Sequence, residues 1–157
     1  MSKPEFVYVT YIETTPEKLW HALTDGDFTE TYWFGHRVTS DWEVGSRFQF
    51  ALRGDPSIGG KVLVCEPPSR LVYSWEPCSP EAKLERTSRV TFDIEPRGTT
   101  VKLTVTHDNL DERGKTLRDI SGGWPMVLAS LKSLLETGHA LPSALPSIAK
   151  ETACEQA

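Results

Sequence analysis

Ser121-Gly122-Gly123-Trp124-Pro125-Met126-Val127-Leu128-Ala129-Ser130-Leu131-Lys132-Ser133-Leu134-Leu135-Glu136-Thr137-Gly138 is the stretch whose reading decides the fold. Trp124, Val127, Leu128, Leu131, Leu134 and Leu135 recur at helical spacing and form one apolar stripe. Met126, Ala129, Ser133 and Glu136 fall on the opposite side. Ser121 can accept from first-turn amides, Pro125 suits a turn with no intrahelical N–H, and Gly138 can take the left-handed conformation. The spacing therefore predicts a helix over 121–137. Ordering such a helix costs about 1–2 kcal/mol per residue, and burying each large side chain returns about 1.5–3 kcal/mol. It needs a broad apolar partner surface.

The rest of the chain supplies one. Residues 6–13, Phe-Val-Tyr-Val-Thr-Tyr-Ile-Glu, are β-branched and aromatic, with both alternate sets largely apolar, which predicts a strand covered on much of both faces. Thr15-Pro16-Glu17 opens a short helix with Leu19, Trp20 and Leu23 on one side, and Asp25-Gly26-Asp27 breaks it. Phe28, Tyr32, Trp33 and Phe34 crowd a second short piece before Gly35. From there to residue 107 the period is two. Short strands are expected at 37–41, 46–52, 61–65 and 71–76, with a loop at 54–57 and a bulge at Gly59-Gly60. A polar connection over 77–86 leads to a long hairpin in which Val90, Phe92 and Ile94 face the same way as Val101, Leu103 and Val105. His107 continues that inward set. Residues 109–119 read as a charged loop.

The 157 residues suffice for one domain with one core. A net charge of −5 lacks the basic footprint of a nucleic-acid binder. Cys65, Cys78 and Cys154 share no C-x-x-C spacing, so neither a disulfide framework nor a zinc knuckle is expected. No run is long enough to span a membrane and the first residues carry no signal-peptide pattern, so a soluble, cytoplasmic protein is expected. The domain is placed at 1–138, with a mobile tail at 139–157 whose prolines interrupt any stripe.

Strand, two short helices, six strands and a long helix predict an α+β fold in which a curved antiparallel sheet faces the last helix. The pieces Thr15-Pro16-Glu17-Lys18-Leu19-Trp20, Val44-Gly45-Ser46-Arg47-Phe48, Gly60-Lys61-Val62, Pro67-Pro68-Ser69-Arg70-Leu71-Val72-Tyr73-Ser74-Trp75 and the 123–138 helix resemble the SRPBCC (START/Bet v 1-like) superfamily. Within it they are most similar to proteins like the carboxyl-terminal domain of the activator of the heat-shock-protein-90 ATPase. The resemblance covers residues 5–138. It implies a helix-grip fold with a cavity between helix and sheet that in various relatives holds lipids, sterols, hormones or polyketides. It brings no catalytic motif.

On this reading the ligand-binding residues are Phe48, Phe50, Tyr73, Trp75, Phe92, Val105 and His107 from the sheet, Trp124, Val127 and Leu131 from the long helix, and Trp33 and Phe34 from the aromatic cluster. Each aromatic could equally be plain core. His107 could bind a ligand oxygen or move a proton, or could simply be hydrogen-bonded at a strand end. His36 beside Arg37 could mark a pocket mouth but reads first as an exposed loop pair, and His21 and His139 read as surface residues. His and Cys spacing shows no metal motif and no G-x-S-x-G elbow is present, so neither metal nor other cofactor is expected. Three functions stay open: binding of a small hydrophobic molecule, a metal-free cyclase or dehydratase using the same cavity, and a chaperone-regulating interaction module. The exposed side of the long helix, with Met126 and Ala129, could serve a partner or a homodimer contact.

Overall fold

The structure is a computed structural model and describes residues 4–142. Seven antiparallel strands form one sheet in the order β1-β7-β6-β5-β4-β3-β2. They are β1 (Phe6–Ile12), β2 (His36–Ser40), β3 (Arg47–Leu52), β4 (Asp55–Glu66), β5 (Arg70–Pro77), β6 (Ser88–Arg97) and β7 (Thr100–Asp108). Helices α1 (Pro16–Thr24) and α2 (Gly26–Tyr32) follow β1, α3 (Pro80–Lys83) joins β5 to β6, and α4 (Lys115–Thr137) closes the chain.

Local chemistry places these elements. Thr15 Oγ1 accepts from Lys18 N–H and Pro16 follows it, so α1 starts where its first amide needs no partner. Asp25 ends α1 and caps α2, accepting from Asp27 N–H at 2.8 Å. Inward residues meet across the strands: Tyr73 lies opposite Val90 and Val90 opposite His107, while Leu71 lies opposite Phe92 and Phe92 opposite Val105. Ile120, Trp124, Val127, Leu128 and Leu131 of α4 close over them in one core. Gly138, at φ +86°, ends α4 as its sequence indicates.

Five expectations are corrected. First, α4 begins at Lys115, not near Ser121. Its N-cap is Gly114, which has no side chain to offer, and the cap comes from elsewhere in the chain: Glu85 accepts Lys115 N–H at 2.8 Å and Thr116 N–H at 3.4 Å. Pro125 thus sits inside the helix, with no amide to offer the Ser121 carbonyl, and the Ser121 hydroxyl turns back to Leu117 O. Secondly, β1 is covered on one face only, because no layer lies over its outer side; Val7, Val9 and Tyr11 are about half exposed.

Thirdly, β4 already starts at Asp55, and its irregularities fall at residues 57 and 63 rather than at Gly59-Gly60. Gly60 serves close approach instead: a Cβ there would collide with the Ser74 backbone oxygen and lie 2.6 Å from Phe48 Cε1. Fourthly, His36 is 1% exposed. It occupies the inward set of β2 with Val38, while Arg37 points outward to Asp27. Finally, Met126 is partly buried against the core, leaving Ala129 as the exposed member of that pair. The connection 77–86 also contains the single turn α3, capped by Ser79. Most of the tail, residues 143–157 with Cys154, lies outside the described residues.

Candidate functional site

Three tryptophans from three elements meet beneath α4. Trp33 ends α2, Trp75 lies near the end of β5, and Trp124 projects from the middle of α4. Their ring centroids are 5.3 Å apart for Trp33–Trp124, 5.5 Å for Trp75–Trp124 and 6.4 Å for Trp33–Trp75, the last pair within 26° of parallel. Phe50 supports Trp33 from below at 4.4 Å.

A cavity of about 50 Å³ lies against this cluster. The indoles of Trp33, Trp75 and Trp124 form one side, and Ser57, Ile58 and Pro77 of the sheet form another. Thr116, Ile120, Gly123 and Val127 present the wall of α4, and Ser79 and the Lys115–Asp119 ion pair stand at the rim. Ser57 hydroxyl already donates to Phe50 O, and Ser79 is engaged as the α3 cap. The rim pair, at 2.5 Å, neutralises its own charge.

Of the residues expected to line the cavity, Trp33, Trp75, Trp124 and Val127 do so. Phe34, Phe48, Phe50, Tyr73, Phe92, Val105, His107 and Leu131 do not; they fill the space between sheet and helix as packed core. The open space is therefore displaced from the middle of the sheet toward the amino-terminal half of α4. Lys115, Thr116 and Asp119 were hidden in what reads as a charged loop, because the cap of 115–121 is the distant Glu85. Ser57 and Ile58 belong to a strand whose start was masked by a Gly-Asp-Pro-Ser turn signal. Ile120, one turn before Trp124, and Leu117, two turns before it, extend the apolar stripe and are the signals that could have found the longer helix.

His107 is fully buried. The Trp124 indole N–H donates to its Nδ1 at 3.0 Å. An indole nitrogen can only donate, so Nδ1 carries no proton and the ring proton is on Nε2, directed at Ser88 Oγ 2.8 Å away. Ser88 in turn is 3.5 Å from Trp75 O. Burial holds the imidazole neutral, with its pKa pushed down to about 3, against a smaller opposing pull from Asp108. Both nitrogens are engaged, and His107 does not line the cavity. It fixes Trp124. His36 is similarly engaged, its Nδ1 lying 2.9 Å from Trp33 O at the turn that presents Trp33.

Burial raises both the Tyr73 and the Tyr32 phenols, and the repulsion that ionised Tyr32 would exert adds to it at Tyr73, so both stay neutral. Among the described residues no three His, Cys, Asp or Glu side chains come together to hold a metal, and no helix is long and apolar enough to cross a membrane. A larger open groove of about 890 Å³ runs past α3 over Thr39, Arg47, Gln49 and Glu76. Its arginines are paired, Arg47 with Glu76 and Arg86 with Asp111, and it presents no concentrated charge of one sign.

Comparison with known proteins agrees with this architecture. No curated protein matches the chain. Similar solved structures include protein MLL2253 from Mesorhizobium loti, 29% identical with a TM-score of 0.72 over 84% of this chain and 96% of that one. The Aha1 dimer from Colwellia psychrerythraea is 24% identical, TM-score 0.72, over 86% and 98% of the two chains. An HSP90 activator from Plasmodium falciparum is 24% identical, TM-score 0.68, over 83% and 95%. At that identity the last two speak to fold alone. The sequence model described as "Activator of Hsp90 ATPase homolog 1-like protein" matches residues 13–136. With that match running from the end of β1 to the last turn of α4, the chain belongs to the Activator of Hsp90 ATPase homolog 1-like family.

Proposed function

We propose that the chain binds a small hydrophobic molecule in the space beneath the amino-terminal half of α4. The observation that carries this reading is the convergence of Trp33, Trp75 and Trp124 on one cavity at an end of an otherwise filled core. Pockets for organic ligands are mostly apolar with a few placed polar groups, and the composition of this site agrees. Its volume of about 50 Å³ is well below the roughly 300–1,000 Å³ of drug-sized pockets, so a guest must displace a wall. The weakest wall is the one formed by residues 115–121. It precedes Gly122, Gly123 and Pro125 within the helix and is capped by Glu85.

The test is displacement of anilinonaphthalene sulfonate fluorescence by small aromatic compounds, in the parent chain and in Val127→Phe, which adds a ring to the cavity wall. Saturable displacement that the variant loses while its circular dichroism is unchanged supports the reading. Displacement unaffected by Val127→Phe places binding elsewhere. The cyclase or dehydratase alternative loses its main proton carrier, because both nitrogens of His107 are already bonded.

A second reading is regulation of a chaperone, supported by the family and by a fold shared with the HSP90 activator from P. falciparum. Stimulation of Hsp90 ATPase by the purified chain tests it. Unchanged turnover, with no co-sedimentation, rules it out. Self-association, suggested by the Colwellia dimer, is tested by sedimentation equilibrium.

A further inference from the structure

We infer that the guest of this cavity is a neutral, ring-bearing molecule with a carbonyl-type hydrogen-bond acceptor. This rests on the binding reading just given and narrows it to a chemical class.

The inference comes from accounting for polar groups. Other aromatic donors in and beside the core have an acceptor: Trp124 N–H has His107, Tyr32 O–H has Ala22 O at 3.0 Å, and the partly buried Trp42 N–H has Thr24 O at 2.9 Å. Three residues that line the cavity, of which Trp75 also borders the larger groove, carry groups that depart from that pattern. Trp33 and Trp75 are 5% and 4% exposed, yet their indole N–H groups make no hydrogen bond among the described residues. Thr116 is 5% exposed, and although Glu85 binds its backbone N–H, its hydroxyl has no partner among them either. No fully sealed side-chain nitrogen or oxygen among the described residues lacks a partner, so these three groups keep contact with open space. All three residues line the same cavity.

A donor that touches open space and has no acceptor in the protein is left to bond with whatever fills that space, which makes such a group informative. Indole nitrogens donate and cannot accept. The complementary guest must therefore present an acceptor, and a carbonyl oxygen can receive more than one donor. The neutralised Lys115–Asp119 pair at the rim offers no net charge, which favours a neutral guest over a carboxylate. Ile58, Ile120 and Val127 supply apolar contact, and the indole rings favour an aromatic body.

The experiment uses the full chain, labelled with ¹⁵N, titrated with acetophenone and with ethylbenzene, which has the same outline but a methylene in place of the carbonyl. The expected result is about fivefold or more tighter binding of acetophenone, the fold-change of one ordinary hydrogen bond. The Trp33 and Trp75 indole resonances should move and those of Trp20 and Trp42 should not. Trp75→Phe should reduce the preference; because Trp75 is also core, Thr116→Val serves as the near-isosteric second variant and should reduce it as well. Equal affinity for the two compounds overturns the acceptor inference and leaves the binding reading intact. No binding of either compound up to its solubility overturns both. Shifts confined to Trp20 and Trp42 place the site elsewhere and likewise overturn the inference.

Discussion

Replacing His107 by Gln should flatten the dependence of stability on pH. In the folded chain the imidazole is buried between Trp124 and Ser88 and its pKa is pushed down to about 3, from 6.5 in the unfolded chain. Below pH 6.5 the unfolded chain takes up a proton that the folded chain refuses, so unfolding is favoured as pH falls. The contribution is fully present above about pH 6.5 and is lost progressively toward pH 3. Between pH 7.5 and pH 5 the loss is about 2 kcal/mol, at roughly 1.4 kcal/mol per pH unit below 6.5. For a chain of this size that lowers the melting temperature by about 4–8 °C. Gln offers an acceptor to Trp124 and a donor to Ser88 without titrating. The assay is urea unfolding of both proteins at the two pH values. His21, His36 and His139 are common to both, so the difference between the proteins isolates His107. His107→Leu should lose the same pH-dependent part and also be weaker at pH 7.5 by about 2–5 kcal/mol, since the Trp124 N–H and the Ser88 hydroxyl lose their partner. Equal loss between pH 7.5 and 5 in the parent and His107→Gln would refute the reasoning.

Glu85→Ala removes the side chain that caps the start of α4 and should cost about 1 kcal/mol locally, visible as roughly fivefold faster amide exchange at 115–121 with 127–134 unchanged. Gly60→Ala should destabilise by about 2–3 kcal/mol, because the added methyl meets the Ser74 backbone, which cannot rotate away; Gly122→Ala, with nothing within 4 Å of the new methyl, should stabilise by up to about 1 kcal/mol in the same urea titration. Leu131→Ala, at a fully buried position of α4, should cost about 2–5 kcal/mol by the same method.

The helix stripe and the period-two strands carried most of the architecture, because both report which side of an element is buried. Trp124, Val127, Leu128 and Leu131 face the sheet as their spacing predicts, and the inward rows of β5, β6 and β7 follow from alternation alone. What composition could not reveal was supplied from a distance. Glu85 caps residues 115–121 from thirty positions away in the chain, and Val7, Val9 and Tyr11 lie on the face of the sheet that no layer covers although their residue types suit an interior. The candidate site was legible only in part for the same reason. Aromaticity identifies Trp33, Trp75 and Trp124, but it cannot separate them from Phe48, Phe50, Tyr73 and Phe92, which fill the core. That separation depends on where packing stops, and packing is a property of the assembled layers.

Diffraction from a crystal held under xenon tests the location of the site most directly, since xenon enters small apolar cavities and its position can be read without a fitted ligand. The account expects a xenon atom enclosed by Trp33, Trp75, Trp124 and Val127, against the turn of α4 that carries Ile120. Xenon bound between the middle of the sheet and Leu131, or only on the outer face of the sheet, would contradict it.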